Sequence, residues 1–263
     1  MSAVLAPLTY PDYTFLIGLI ESPFNVNNDA ALKGYLDAWD GATHPDGQVA
    51  RAKLDTELTK TLRYLGSSEV LYWARTVAGQ EPGAPVDTVV RDVAKRLKVT
   101  LPAIGTTREL LEALVTEHAT QQFATLTPAE QQLMLIDLGV DREEAQRFLM
   151  TSAGVFALPT LIQAFDLIVV QGLIKQVVFG TITRVLGAQL SQRLFTFVAG
   201  QFPWWLRWVG PAAWTVSIGW TVFDLQGPAQ RKTVPAMLYL GLCSLRERHQ
   251  PDGGSDSGSA EGA

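Results

Sequence analysis

Two long uncharged stretches in the second half of the chain limit most strongly what it can fold into. No residue from Phe148 to Phe165 is charged, and none is charged from Trp208 to Phe223. A helix that crosses a bilayer core of about 30 Å needs roughly 20 predominantly apolar residues. The first stretch reaches that length only by including Pro159 and Asp166, and the second has 16 residues. Neither stretch therefore predicts a clean spanning helix.

Aromatic residues around the second stretch favour contact with lipid. Five of the seven tryptophans lie between residues 204 and 220. Trp204, Trp205 and Trp208 surround Arg207, and amphipathic rings beside a cation are typical of the depth at which hydrocarbon meets headgroups. We therefore predict that these four residues form a membrane interface.

The same stretches also suit a buried helical hairpin in a water-soluble protein. Tryptophans pack protein cores as well as membrane interfaces, and Asp166 and Lys175 are candidates for a buried pair. Two functions stay open at this stage. One is a membrane-associated helical protein, with membrane insertion or pore formation on oligomerisation as a further step. The other is a soluble helical chaperone or protein-interaction module.

Charge separates the two halves of the chain and bears on its partners. Residues 1–150 hold 13 basic and 20 acidic side chains, whereas residues 151–250 hold 8 basic and 3 acidic ones. A basic, apolar half favours an anionic membrane surface, so membrane lipid is the predicted partner, with a protein partner or a homo-oligomer second. A nucleic-acid partner is not expected, because the basic residues are spread singly and never cluster.

The first residues of the sequence bear on location. They lack the basic start of a secretory signal peptide, and their apolar run is short. We therefore predict membrane contact from the cytoplasmic side, at the cytoplasmic face or in the inner membrane.

The fold class predicted by the sequence is all-α. Leucines at 54, 58, 62 and 65 lie on one helical face. Three capping-box patterns follow, each with an oxygen acceptor three residues before a glutamate: Thr106–Glu109, Thr127–Glu130 and Asp141–Glu144. The last two open a predicted helical hairpin over 128–150, with Leu133, Leu135, Ile136 and Leu138 inside.

Four regions are predicted along the chain. They are an N-terminal helical segment of unclear role (1–50), an acidic soluble helical domain (51–150), an apolar, Gly- and Trp-rich membrane-associated hairpin region (151–249) and a disordered tail (250–263). The tail is polar and rich in Gly and Ser, which is typical of segments that cannot bury a core.

No pattern of catalytic or metal-binding residues stands out. His44, His118 and His249 lie far apart in sequence, and none has the spacing of a zinc motif. Cys243 is the one cysteine and lies in an apolar segment, where it is expected to pack as a small hydrophobe. We therefore predict a protein that is not an enzyme and that uses no metal or cofactor.

The segment DLQGPAQRKTVPAM, residues 224–237, is the most distinctive motif. Gly227-Pro228 predicts a break between helices, and Pro235 suits the first turn of a new one. Asp224 and Arg231 are placed to pair across that break. The motif residues are Asp224, Gly227, Pro228, Ala229, Arg231, Thr233, Pro235 and Ala236.

This motif resembles the C-terminal signature of the YaaW-like family of uncharacterised bacterial proteins. Two central segments, LRYLGSS (62–68) and DVAKRLKV (92–99), also resemble that family, so the resemblance covers roughly residues 50–248. The family is sometimes grouped with ubiquinol–cytochrome c chaperone-like helical domains, which implies an all-helical fold in the middle of the chain. The resemblance implies no particular activity.

Overall fold

The computed structural model describes residues 1–20, 26–41, 45–66, 83–152, 156–186 and 230–247, without the side chains of 26–29. These residues form eleven helices and no β-strand, which confirms the predicted all-α fold. In chain order the helices are α1 (Ser2–Leu5), α2 (Tyr10–Ile20), α3 (Val26–Trp39), α4 (Pro45–Leu65), α5 (Val86–Arg96), α6 (Thr107–Thr125), α7 (Pro128–Asp137), α8 (Arg142–Thr151), α9 (Leu158–Ala164), α10 (Leu167–Leu186) and α11 (Gln230–Glu247).

The last helix, α11, lies at the centre of the packing. It contacts α2, α4, α5, α6 and α10, and every residue from Thr233 to Ser244 is buried. A helix that is buried on all sides is a core element. The core is therefore built from segments that are far apart in sequence, because α2, α6 and α11 come from three different predicted regions. The boundaries of those four regions stay a prediction.

The start of α11 differs from the sequence prediction. The sequence predicts a last helix that begins at Pro235, but the helix begins at Gln230 and Pro235 lies inside it. An interior proline removes one helical hydrogen bond and costs about 3 kcal/mol. Burial of the residues around it, including Val234, Ala236 and Met237, offsets that loss.

Helices α10 and α11 run antiparallel. The ring of Phe179 on α10 lies 6.2 Å from that of Tyr239 on α11. Burial and then the charge of Arg246 lower the pKa of Lys175, so Lys175, earlier in α10, lies within electrostatic range of Arg246, later in α11. The end of α10 and the beginning of α11 consequently lie at the same end of the helical body.

The first uncharged stretch is divided between two helices, α8 and α9, and ends before a third, α10. Helix α8 ends at Thr151, α9 begins one residue before Pro159, and α10 follows Asp166. The carboxylate of Asp166 is exposed and accepts a hydrogen bond from the Val169 N–H at 2.8 Å. It thus caps α10, and Lys175 lies about two and a half turns further along the same helix, too far for the pair considered above.

Helix α10 is the one described helix that is long and apolar enough to cross a membrane. Its most apolar window has a mean hydropathy of 1.3, but 61% of that window is buried inside the protein. It packs against α6, α7, α9 and α11. A core helix of a water-soluble protein passes the same test of length and composition. The second uncharged stretch, 208–223, lies outside the described residues.

Most of the local predictions in the middle of the chain are confirmed. Leu54, Leu58 and Leu62 are fully buried on α4, and the capping boxes at Thr106 and Thr127 both form. Asp141 does cap α8, but it accepts from the N–H of Glu143, so the predicted box with Glu144 is wrong. Leu133, predicted to lie inside the hairpin, is 54% exposed.

Candidate functional site

One third of the predicted site residues, four of twelve, lie on the first two turns of α11. These are Arg231, Thr233, Pro235 and Ala236. The others lie outside the described residues, as does the pairing proposed for Asp224 with Arg231: Trp204, Trp205, Arg207, Trp208, Asp224, Gly227, Pro228 and Ala229.

The described part of the motif joins three helix ends. The Thr233 hydroxyl donates to the Leu65 carbonyl at the end of α4, at 3.5 Å. The ammonium of Lys232 donates to the Ile20 carbonyl at the end of α2, at 2.9 Å. Arg231 is exposed, whereas Ala236 is fully buried. This part of the motif therefore fixes the beginning of α11 against the ends of α2 and α4.

A buried polar cluster, which the sequence did not predict, lies between α2 and α11. Its centre is Asp12, whose side chain is 0% exposed. The guanidinium of Arg246 donates to both carboxylate oxygens, at 3.2 and 2.6 Å. The Tyr239 hydroxyl donates at 2.7 Å, and Thr9 donates through its N–H and its hydroxyl, both at 2.7 Å. The cluster therefore ties the beginning of the chain to its last helix.

The charge of Asp12 is maintained despite its burial. Burial raises its pKa, but the hydrogen bonds and the charge of Arg246, with the Thr9 N–H and Tyr239, outweigh that effect and lower it. Burial and then Asp12 hold the pKa of the Cys243 thiol well above its usual range. That thiol lies 3.7 Å from an Asp12 oxygen. A buried thiol kept protonated is a poor nucleophile. The cluster therefore has a structural role in holding α2 against α11, and we call it the Asp12 clamp.

A second polar cluster fixes the N-terminal residues to α4. The hydroxyl of Tyr13 donates to the carboxylate of Asp55. The guanidinium of Arg51 donates to the carbonyls of Ala6 at 2.6 Å and Leu8 at 3.2 Å, and it lies 5.0 Å from the centroid of the Trp39 ring. Within the described residues, no group of three or more potential ligands is placed to hold a metal ion.

A buried histidine lies between α6 and α10. His118 is 0% exposed, and its Nε2 lies 2.8 Å from the Thr181 hydroxyl. That hydroxyl donates to the Val177 carbonyl, so it accepts its second hydrogen bond from the imidazole Nε2–H. Burial lowers the pKa of His118 to about 4.

The shifted pKa of His118 predicts a loss of stability at mildly acidic pH. The pKa of His118 is about 4 in the folded protein and near 6.5 in the unfolded chain. The unfolded chain therefore takes up a proton first, and the stability present above pH 6.5 is lost as the pH falls towards 4. The loss is about 2 kcal/mol at pH 5. Urea unfolding between neutral pH and pH 5 measures it, and His118→Gln should remove this part of the pH dependence.

The matched control for this prediction is the double variant His44→Gln/His249→Gln. It removes two histidines and should keep the wild-type pH dependence. A His118→Gln protein that still loses about 2 kcal/mol at pH 5 would show that another group is responsible.

These contacts define an all-helical protein in which the last described helix, α11, is enclosed by the other described helices. The chain is similar to a UPF0174 protein from Helicobacter pylori (strain J99), with 21% identity over 198 residues that cover 74% of this chain and 72% of that protein. No family model and no solved structure matches the chain. This similarity relates the chain to uncharacterised proteins. It does not single out the YaaW-like family.

Proposed function

We propose that this chain is a membrane-associated helical protein of the YaaW-like kind, in which a folded helical body carries a tryptophan-rich lipid-contacting segment. That segment is residues 187–229. Its partner is membrane lipid at the cytoplasmic face or inner membrane, and it has no catalytic role. Homo-oligomerisation, with insertion or pore formation, is a further step of the same proposal.

One observation carries the proposal: α10 and α11 are antiparallel, so residues 187–229 begin and end at one end of the helical body. The segment contains five tryptophans and only three charged residues. The described helices already form a packed core, because α11 is enclosed by α2, α4, α5, α6 and α10, and α10 packs against α6, α7, α9 and α11. A segment so apolar gains most from burial in a second medium such as lipid.

The segment's tryptophans should be required for binding to vesicles. We expect Trp204→Ala/Trp205→Ala/Trp208→Ala to bind vesicles of phosphatidylcholine and phosphatidylglycerol about 100-fold more weakly, because each ring buries a large apolar area at the interface. Flotation of the full-length protein with vesicles measures the affinity.

A matched control removes exposed apolar side chains elsewhere. Ile104 is 92% exposed and Met150 is 76% exposed, so Ile104→Ala/Met150→Ala should bind as the wild type does. Wild-type affinity in the triple tryptophan variant, or a wild-type protein that never floats with vesicles, would contradict the proposal.

The burial of α10 favours a second candidate, a soluble helical chaperone or protein-interaction module. The one described helix suited to spanning a bilayer has 61% of its apolar window packed inside the protein. On this alternative, residues 187–229 bind protein surfaces. The two functions differ in fractionation, since the membrane protein is extracted by detergent and the adaptor is recovered in the aqueous fraction without it.

A further inference from the structure

Four helix ends meet at the point where residues 187–229 leave and rejoin the helical body. The last two turns of α2, α4 and α10 lie beside the first two turns of α11 (14–20, 59–66, 179–186 and 230–237). The contacts of Lys232 with Ile20 and of Thr233 with Leu65 bring α2 and α4 to this place. The antiparallel packing of α10 and α11 brings the end of α10 there. We call this surface the basic end.

The charges within the four ranges of the basic end have one sign. Its four ranges contain five basic side chains and no acidic one, and the basic ones are Lys60, Arg63, Arg184, Arg231 and Lys232. Lys60 bonds Glu57, one turn earlier on α4. An acidic residue, Asp87, lies beside this surface, because the Ala84 N–H just before α5 donates to the Arg63 carbonyl at 3.1 Å. The Asp87 carboxylate accepts a hydrogen bond from the Thr107 hydroxyl. The chain as a whole carries a net charge of −5, so this local concentration of cations is opposite in sign to the overall charge.

Part of this charge serves the fold. Cations near helix C-termini interact favourably with the helix dipole, and Lys232 caps α2 through the Ile20 carbonyl. Arg231 has a different position, because it is exposed at the N-terminus of α11, where the dipole disfavours a cation. Arg184 is also exposed, on the last turn of α10. These two arginines flank the tryptophan-rich segment on either side in sequence.

We propose that the basic end docks on the anionic headgroups of the membrane whose hydrocarbon boundary the tryptophan-rich segment contacts. The inference rests on the proposed function and specifies its lipid class and the orientation of the body. Residues 187–229 are joined to the basic end at both of their ends. Contact of this segment with lipid would therefore bring the basic end to the headgroups. Each cation held there contributes electrostatic attraction that decays within a Debye length.

Charge reversal at two exposed positions tests this orientation. We expect Arg184→Glu/Arg231→Glu to bind vesicles containing phosphatidylglycerol about 30-fold more weakly or worse, since each cation near the surface contributes to binding. Binding to pure phosphatidylcholine vesicles should be weak in the wild type and unchanged in the variant. The neutral variant Arg184→Gln/Arg231→Gln should lie between the two.

The matched control carries the same change of net charge on another face. Lys95, whose side chain is 79% exposed, and Arg147, also exposed, lie on α5 and α8. Lys95→Glu/Arg147→Glu should keep wild-type affinity for anionic vesicles. Urea unfolding of every variant verifies that the helical body is intact.

The outcomes separate this inference from the function on which it rests. Equal wild-type binding to neutral and anionic vesicles would contradict the docking of the basic end on anionic headgroups. Membrane association itself would still hold. The same follows if both double reversals weaken binding equally, because only net charge would then matter. Failure of the wild type to bind any vesicle would overturn both proposals, as would binding to duplex DNA in preference to vesicles.

Discussion

Replacing Arg246 by methionine should destabilise the protein by about 3–5 kcal/mol, because it leaves a buried carboxylate without its counter-ion. Asp12 is fully buried and Arg246 donates to both of its oxygens. Urea unfolding at neutral pH measures the loss. Arg231→Met removes an exposed arginine from the same helix and should change stability by less than about 0.5 kcal/mol.

A double variant distinguishes a lost ion pair from lost packing. Asp12→Leu/Arg246→Met removes both charges and should be more stable than Arg246→Met alone, since the unpaired buried charge is gone. A loss of less than about 1 kcal/mol in Arg246→Met, or additive losses in the double variant, would show that the clamp does not hold α2 to α11.

The pH dependence of this clamp has a definite sign. Asp12 has a folded pKa below its ordinary value of 3.8, so its contribution is complete above that value and is lost as the pH falls through the folded pKa. The difference in stability between the wild type and Arg246→Met should therefore narrow at strongly acidic pH.

The second large effect concerns a glycine at the contact between α6 and α11. A Cβ added at Gly241 would lie 2.4 Å from a methyl carbon of Val115 and 2.7 Å from the Leu111 carbonyl oxygen. The backbone oxygen cannot move without moving α6. We therefore expect Gly241→Ala to cost about 3 kcal/mol through overpacking, as measured by urea unfolding.

The same substitution at Gly18 serves as the control. Gly18 lies inside α2, and a Cβ added there would meet nothing within 4 Å. Alanine is favoured over glycine in a helix interior by about 1 kcal/mol, so Gly18→Ala should stabilise the protein slightly. If both variants were equally stable, the close approach of α11 to α6 would be wrong.

Local patterns in the sequence predicted local structure well. The leucines of α4 and the capping boxes at Thr106 and Thr127 depend on residues within one or two helical turns, and all of these are confirmed. The sequence predicts Leu133 inside the hairpin, because the pattern of α7 does not show which of its faces meets the core. The beginning of α11 differs from the prediction, because tertiary burial overrides the usual position of a proline in a first turn.

The polar contacts of the fold depend on long-range packing and could not be read from the sequence. Asp12 and Arg246 are 234 residues apart, and no local rule pairs them. One signal was available: Asp12 is the only charged residue in an otherwise apolar helix, YPDYTFLIGLI. A charge in such a helix needs a partner, but the sequence alone did not identify which of the many cations provides it.

Hydrogen exchange of the full-length protein, with and without anionic vesicles, tests the proposed division between helical body and lipid-contacting segment most directly. Vesicles should increase protection in peptides from residues 187–229 and leave α6, α10 and α11 as protected as in solution. Unchanged exchange in 187–229 would contradict lipid contact there. Loss of protection in α10 would contradict the claim that the body stays closed while the protein is on the membrane.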